Sequence, residues 1–263
     1  IFRREMLIAD GKLLKAVYTR AEVVPGTFFV EGTSCAPTAI YMRLPGDVAP
    51  TGHLLEAAKR SQLFSPEPGD GWFRLIGFTF RHAANAAREP SVRPGSQGSL
   101  IEENTVEWTN GFGMATSGGN NVFRGNRVND NGQLGIGGSC SGCLVEYNQT
   151  NRNNWKHFNV SFEAGAMKFS HTSNTTLRYH EAGDNYGNGI WFDGFNTDNV
   201  IEQSIAYRNL QSNIFLEAHT EGTIVRNNVS FGATVYVAST FKVGGAGMII
   251  YRSPNNTIVN NTF

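Results

Sequence analysis

The sequence predicts an all-β protein, a right-handed parallel β-helix (a solenoid) behind a small N-terminal β-rich module. Three observations carry that expectation. A short β-branched run ending in a small polar residue recurs through the second half. No amphipathic 3.6-residue pattern competes with it. The 30 glycines and abundant Asn suit many tight turns.

The repeat reads Leu100-Ile-Glu-Glu-Asn104, Val122-Phe-Arg-Gly-Asn126, Leu144-Val-Glu-Tyr-Asn148, Thr176-Leu-Arg-Tyr-His180, Val200-Ile-Glu-Gln-Ser204, Ile224-Val-Arg-Asn-Asn228 and Ile258-Val-Asn-Asn261. The final positions are 22, 22, 32, 24, 24 and 33 residues apart. That is one solenoid turn per unit, with two turns carrying inserts. A unit this short cannot bury an apolar face alone, so the units must stack. The recurring Asn104, Asn126, Asn148, Asn228 and Asn261 are expected to form a ladder of side-chain amides. The sequons at Asn148, Asn159, Asn174, Asn228, Asn255 and Asn260 fall mostly on these turns, which packing explains better than glycosylation.

Residues 1–70 read as the separate β-rich module, with turn signals at Asp10-Gly11, Pro25-Gly26 and Pro45-Gly46, and 71–263 as the solenoid. Leu75–Phe80 is expected as the first solenoid strand and Ala83–Gly98 as a loop over one rim. The start at Ile1 and the stop at Phe263 suggest a piece of something longer.

The 22 Lys+Arg balance the 22 Asp+Glu, so no basic field points to nucleic acid, and no run of 18 apolar residues points to a membrane span. Three cysteines, Cys35, Cys140 and Cys143, are too few for a disulfide framework. Cys140-Ser-Gly-Cys143 lacks a second ligand pair, so the expectation is a turn with two thiols or a local bridge, and no metal.

Strand alternation selects the outward side chains. Inward Ile190 and Phe192 leave Trp191 and Asp193 outside, and inward Ile214 and Leu216 leave Phe215 and Glu217 outside. Asp193 lies 11 residues before Ser204 and Glu217 lies 11 before Asn228, so the carboxylates are expected on adjacent rungs, about 5–6 Å apart. Two carboxylates that close cannot comfortably both ionise, which yields an acid and a nucleophile from one pair. Lys168 is expected outward one rung before Asp193, over an open floor of Ala115 and Gly137. Inserts at Asn151–Glu163, with Trp155, His157, Phe158 and Glu163, and at Ala233–Gly247, with Tyr236, Phe241 and Lys242, flank this column. Trp191, Phe215, Trp155, Glu163 and His219 are the candidate substrate contacts. The plainer readings are solvated acidic decoration or a cation site, a Trp191 packed beneath a loop, a Lys168 that only neutralises its neighbours, and an idle surface His219.

Gly189-Ile-Trp-Phe-Asp193, Asn213-Ile-Phe-Leu-Glu217-Ala-His219 and Ile224-Val-Arg-Asn-Asn228 together resemble the core of the β-helical β-xylosidases. They are also similar to a wider set of secreted bacterial right-handed β-helix proteins. The resemblance is good over 165–230. It implies Asp193 as nucleophile and Glu217 as acid/base, and a secreted, cell-surface or periplasmic location. The chain departs from that family in lacking an obvious β-sandwich insert to close a pocket.

Three functions compete. The first is a retaining glycoside hydrolase, xylan-type substrates included, needing no cofactor. The second is a polysaccharide lyase with Lys168 as base and a Ca2+ held by Asp193 and Glu217, against which stands the lack of clustered arginines. The third is a non-catalytic carbohydrate-binding module that stacks sugars on Trp155, Trp191 and Phe215. In each the partner is a polysaccharide or oligosaccharide, and the protein is expected to be a monomer.

Overall fold

The computed structural model describes residues 4–33, 36–67, 69–95, 97–235 and 244–263; Cys35, Tyr236, Phe241 and Lys242 lie outside them. Near the N-terminus Leu7–Ala9 lies between Lys12–Leu13 and Leu55–Ala57, and Thr27–Thr33 lies between Lys15–Ala16 and Ala36–Arg43. Leu7, Leu14, Phe28, Val30 and Leu44 make an apolar cluster of their own beneath these strands.

From Arg74 onward the chain is a parallel β-helix. Among the described residues one sheet has eight strands, from Arg74–Ile76 to Thr257–Val259. A second has seven: Pro90–Val92, Phe112–Thr116, Leu134–Gly138, Gly165–Phe169, Asn188–Asp193, Ser212–Glu217 and Ala246–Tyr251. We call these the back sheet and the site sheet.

The five-residue repeat builds the back sheet and the bend after it. Its second residues, Ile101, Phe123, Val145, Leu177, Ile201 and Val225, pair in order and stack fully buried in the core. Its third residues face out and alternate in sign: Glu102, Arg124, Glu146, Arg178, Glu202, Arg226. Arg124 and Arg178 each reach Glu146 at 2.7 Å, and Arg226 reaches Glu202 at 2.7 Å. In a parallel in-register stack every residue faces its counterpart, so alternation replaces like-charge repulsion by attraction and resists a slip of one coil. The fourth residues, among them Glu103, Tyr147 and Gln203, adopt positive φ of 54°, 56° and 49° and turn the chain off the sheet.

The fifth residues form the expected ladder. Asn126 Oδ1 accepts the backbone N–H of Asn104 at 3.0 Å and its side-chain N–H at 3.1 Å, while Asn126 Nδ2 donates to the Ile101 carbonyl. Asn148 repeats this beneath Asn126, and Asn261 beneath Asn228. Between them the His180 backbone N–H donates to Ser204 Oγ, and the Ser204 backbone N–H donates to Asn228 Oδ1. Asn148 and Asn228 are thus buried structural amides. A second ladder of Asn131, Asn153, Asn185 and Asn209, not anticipated from the sequence, lies at the next corner.

Two expectations need correction. Leu75–Phe80 is not one strand, because Gly77 at φ 74° turns the chain between Arg74–Ile76 and Thr79–Arg81. Ala83–Gly98 is not only a rim loop. Pro90–Val92 opens the site sheet, with Val92 in the core; proline is tolerated there because the strand is an edge. Cys140 and Cys143 are joined by a disulfide, buried at the turn between the site-sheet strand Leu134–Gly138 and the third repeat, Leu144–Asn148.

Candidate active site

Asp193 and Glu217 end neighbouring strands of the site sheet and pair directly in its register, as Trp191 pairs Phe215. Ile190, Phe192, Ile214 and Leu216 fill the core, which turns both carboxylates outward. Neighbouring strands lie about 4.8 Å apart. Asp193 is half-buried, whereas Glu217 is buried. Burial first, and the adjacent Asp193 charge second, push the Glu217 carboxyl above its ordinary range; Lys168 and a hydrogen bond from Trp191 oppose this without cancelling it. Lys168 Nζ lies 2.7 Å from Asp193 Oδ2 and 4.0 Å from the centre of the Trp191 ring.

Lys168 faces out one rung before Asp193, as expected, but it stands in a different column. It pairs with Trp191 rather than with Asp193, because Met167 and Phe169 pair with Ile190 and Phe192. Past Phe169 its coil has one residue fewer before the turn: the His171 N–H bonds Gly194 O just as the Phe195 N–H bonds Ala218 O. Lys168 therefore reaches Asp193 diagonally. Ala115 and Gly137 do share the Lys168 column.

Trp191 and Phe215 point out yet are 3% exposed each. Their rings stack on one another at 5.7 Å, with Lys168 beyond one and Ile249 beyond the other, so neighbours in the column cover both faces. They support the site and offer no platform for a sugar. Trp155 is elsewhere: with Lys156 and His157 it lines a cavity of about 560 Å³ against Leu13–Tyr18. Glu163 does reach the site, bonded by Arg88 and 4.0 Å from Lys168. His219 is exposed beside the site, stacked on Phe195 at 5.4 Å.

Sequence reasoning missed several groups. A groove runs along the site sheet from Lys168 toward the N-terminal coils. One part, about 220 Å³, is lined by Arg88, Phe112, Leu134, Glu163, Lys168 and Ser170. The adjoining part, about 360 Å³, has Ala115 and Gly137 as its floor and Arg88, Arg93 and His171 at its sides. The lack of clustered arginines is thereby corrected: Arg88 and Arg93 come from the irregular Ala83–Gly98 segment, where no periodicity signals an outward face. Phe195, 64% exposed, sits between His171 and His219 as an aromatic edge to the groove. Its signal was in the sequence, since Phe195 follows Asp193 by the same two residues that separate His219 from Glu217.

A hard cation fits poorly here. Among the described residues no three His, Cys, Asp or Glu side chains converge, and the Lys168 ammonium already occupies the Asp193 carboxylate.

A parallel solenoid with paired carboxylates at the end of an open groove defines the class of molecule. Residues 91–263 match the model of the family described as "Right handed beta helix region", and the chain belongs to that family. No curated protein matches it in sequence. Among solved structures, it is similar to one described as the complex of XylC with xylose, at 15% identity and a TM-score of 0.69, over 89% of this chain and 51% of that one. It is also similar to the pectate lyase Pel9A, at 18% identity and a TM-score of 0.57, over 92% of this chain and 62% of that one. These likenesses are of fold, and the chain spans about half the length of the first structure and under two thirds of the second.

Proposed function

We propose that the protein is a retaining glycoside hydrolase acting on a polysaccharide or oligosaccharide, with Asp193 as nucleophile and Glu217 as acid/base. The observation that carries this reading is the in-register pair in which the more buried member, Glu217, has its pKa raised. A carboxyl that holds its proton to higher pH than usual, beside one held in an ion pair, is the division of labour the reaction needs. Adjacent rungs match the short separation, about 5–5.5 Å, of retaining enzymes. The solved structure with xylose, whose fold this chain shares, adds support for a sugar ligand.

Asp193 attacks the anomeric carbon while Glu217 gives its proton to the departing glycosidic oxygen. In the second step the Glu217 carboxylate takes a proton from water as that water displaces Asp193 from the sugar. Lys168 fixes the Asp193 carboxylate, and the Trp191 N–H holds Glu217 Oε2. A polymeric glycan is met outside the cytosol, where the Cys140–Cys143 bridge also persists; secretion, a periplasmic or a cell-surface place follows from the reading. Hydrolysis of aryl glycosides tests it: Asp193→Ala and Glu217→Ala should each lose about 10³-fold in rate. Full activity in both variants rejects the assignment.

A lyase is the second reading, favoured by Arg93 and Lys168 at the ends of the groove floor. It requires Lys168 to leave Asp193 and accept a proton. New ultraviolet absorbance from an unsaturated product on uronate polymers, lost in Lys168→Gln, would establish it in place of the hydrolase.

A further inference from the structure

The groove floor has a cation at each end. Val92 pairs with Met114, so Arg93 stands one rung before Ala115; Gly137 and then Lys168 follow in the same column. Three rungs, about 14 Å, separate Arg93 from Lys168. Within that column only Ala115 and Gly137 lie between them, with Phe112 and Leu134 packed beside Gly137.

The cations are not equivalent. Lys168 is paired with Asp193, and Arg88 with Glu163. Arg93 is exposed, lines the groove, and has no ion-pair partner among the described residues. Glu163, the carboxylate that lines the groove, is already engaged by Arg88. The uncompensated charge over the floor is therefore positive, and it belongs to a planar guanidinium suited to bidentate contact with an oxyanion. Thr116, Ser117, Ser139 and Ser170 add hydroxyls for neutral sugar positions.

We propose that the groove takes an anionic glycan, bearing carboxylate or sulfate groups, and that Arg93 grips an oxyanion of a sugar remote from the Asp193–Glu217 pair. This rests on the reading of the groove as the substrate groove. It does not depend on which bond-breaking chemistry occurs there.

Calorimetry of the full chain with oligogalacturonate, a sulfated galacto-oligosaccharide and a xylo-oligosaccharide of equal length tests the proposal. At least one anionic chain should bind about tenfold tighter than the neutral one, and the tighter of the two identifies the oxyanion. Arg93→Gln should weaken that binding about tenfold, the worth of one charge-assisted contact. Arg93→Lys, which keeps the charge without the fork, should fall between. Arg74→Gln, on the back sheet, should change affinity less than about twofold. Equal affinity for neutral and anionic chains overturns the proposal, as does an unaltered Arg93→Gln or an Arg74→Gln with the same loss. Anionic binding without cleavage removes the hydrolase and keeps this inference; cleavage of neutral glycosides without anionic preference does the reverse.

Discussion

The indole N–H of Trp191 donates to Glu217 Oε2 at 3.0 Å, from one rung of the site sheet to the next. This bond favours the ionised carboxyl and restrains the rise in the Glu217 pKa that burial and Asp193 cause. Trp191→Phe removes the donor while keeping a ring against Phe215. The basic limb of the kcat/KM profile, which reports loss of the acid's proton, should then move to higher pH. A limb that stays in place would show that Glu217 is not the acid.

Glu217 also lowers stability as pH rises. Its folded pKa lies above the ordinary 4.5, so the native state binds the extra proton. The stabilisation is complete below about pH 4.5 and is lost as pH climbs through the folded value. Glu217→Gln should remove this slope and melt no lower than the parent at neutral pH. Thermal denaturation between pH 4 and 8 checks it, and a parallel slope in the variant would contradict it.

His180 acts in the opposite direction. It replaces Asn in the ladder, fully buried, with Thr150 Oγ1 2.8 Å from Nε2 and no partner for Nδ1. Burial pushes its pKa from 6.5 down to about 3. The unfolded chain therefore takes up a proton that the folded one refuses, and stability falls as pH drops from about 6.5 toward 3. His180→Asn should flatten this part of the melting profile. An unchanged acid slope would place its cause elsewhere.

The floor of the groove is open because Ala115 and Gly137 are small. Ala115→Phe adds a ring there on a strand that accepts one. Relative to a small aryl glycoside, kcat/KM on a polymeric substrate should fall by about tenfold or more. An equal effect on both substrates would mean that the chain does not lie along this floor.

The solenoid was legible because stacking imposes strict spacing on the inward residue and the Asn of every coil. The second ladder through Asn131, Asn153, Asn185 and Asn209 follows the same 22-, 32- and 24-residue intervals and was open to the same arithmetic. The Asp193–Glu217 register was legible too, since both coils count 11 residues to the same turn position. Lys168 was legible as one rung before Asp193 but was placed in the wrong column, because a one-residue difference past Phe169 sets it opposite Trp191, two side chains short of Asp193. Alternation told which way Trp191 and Phe215 point, but their burial depends on stacking along the column, which no single strand reveals. Arg88 and Arg93 were hidden in a stretch with two prolines, where outward positions have no period.

Azide rescue of the two carboxylate variants bears most directly on the central pairing of roles. On an aryl glycoside with a good leaving group, azide should restore turnover of Asp193→Ala and give the glycosyl azide with inverted anomeric configuration, since one displacement replaces two. With Glu217→Ala it should give the retained configuration, because Asp193 still forms the covalent intermediate. Retained product from Asp193→Ala, or inverted product from Glu217→Ala, would contradict the assignment of nucleophile and acid/base.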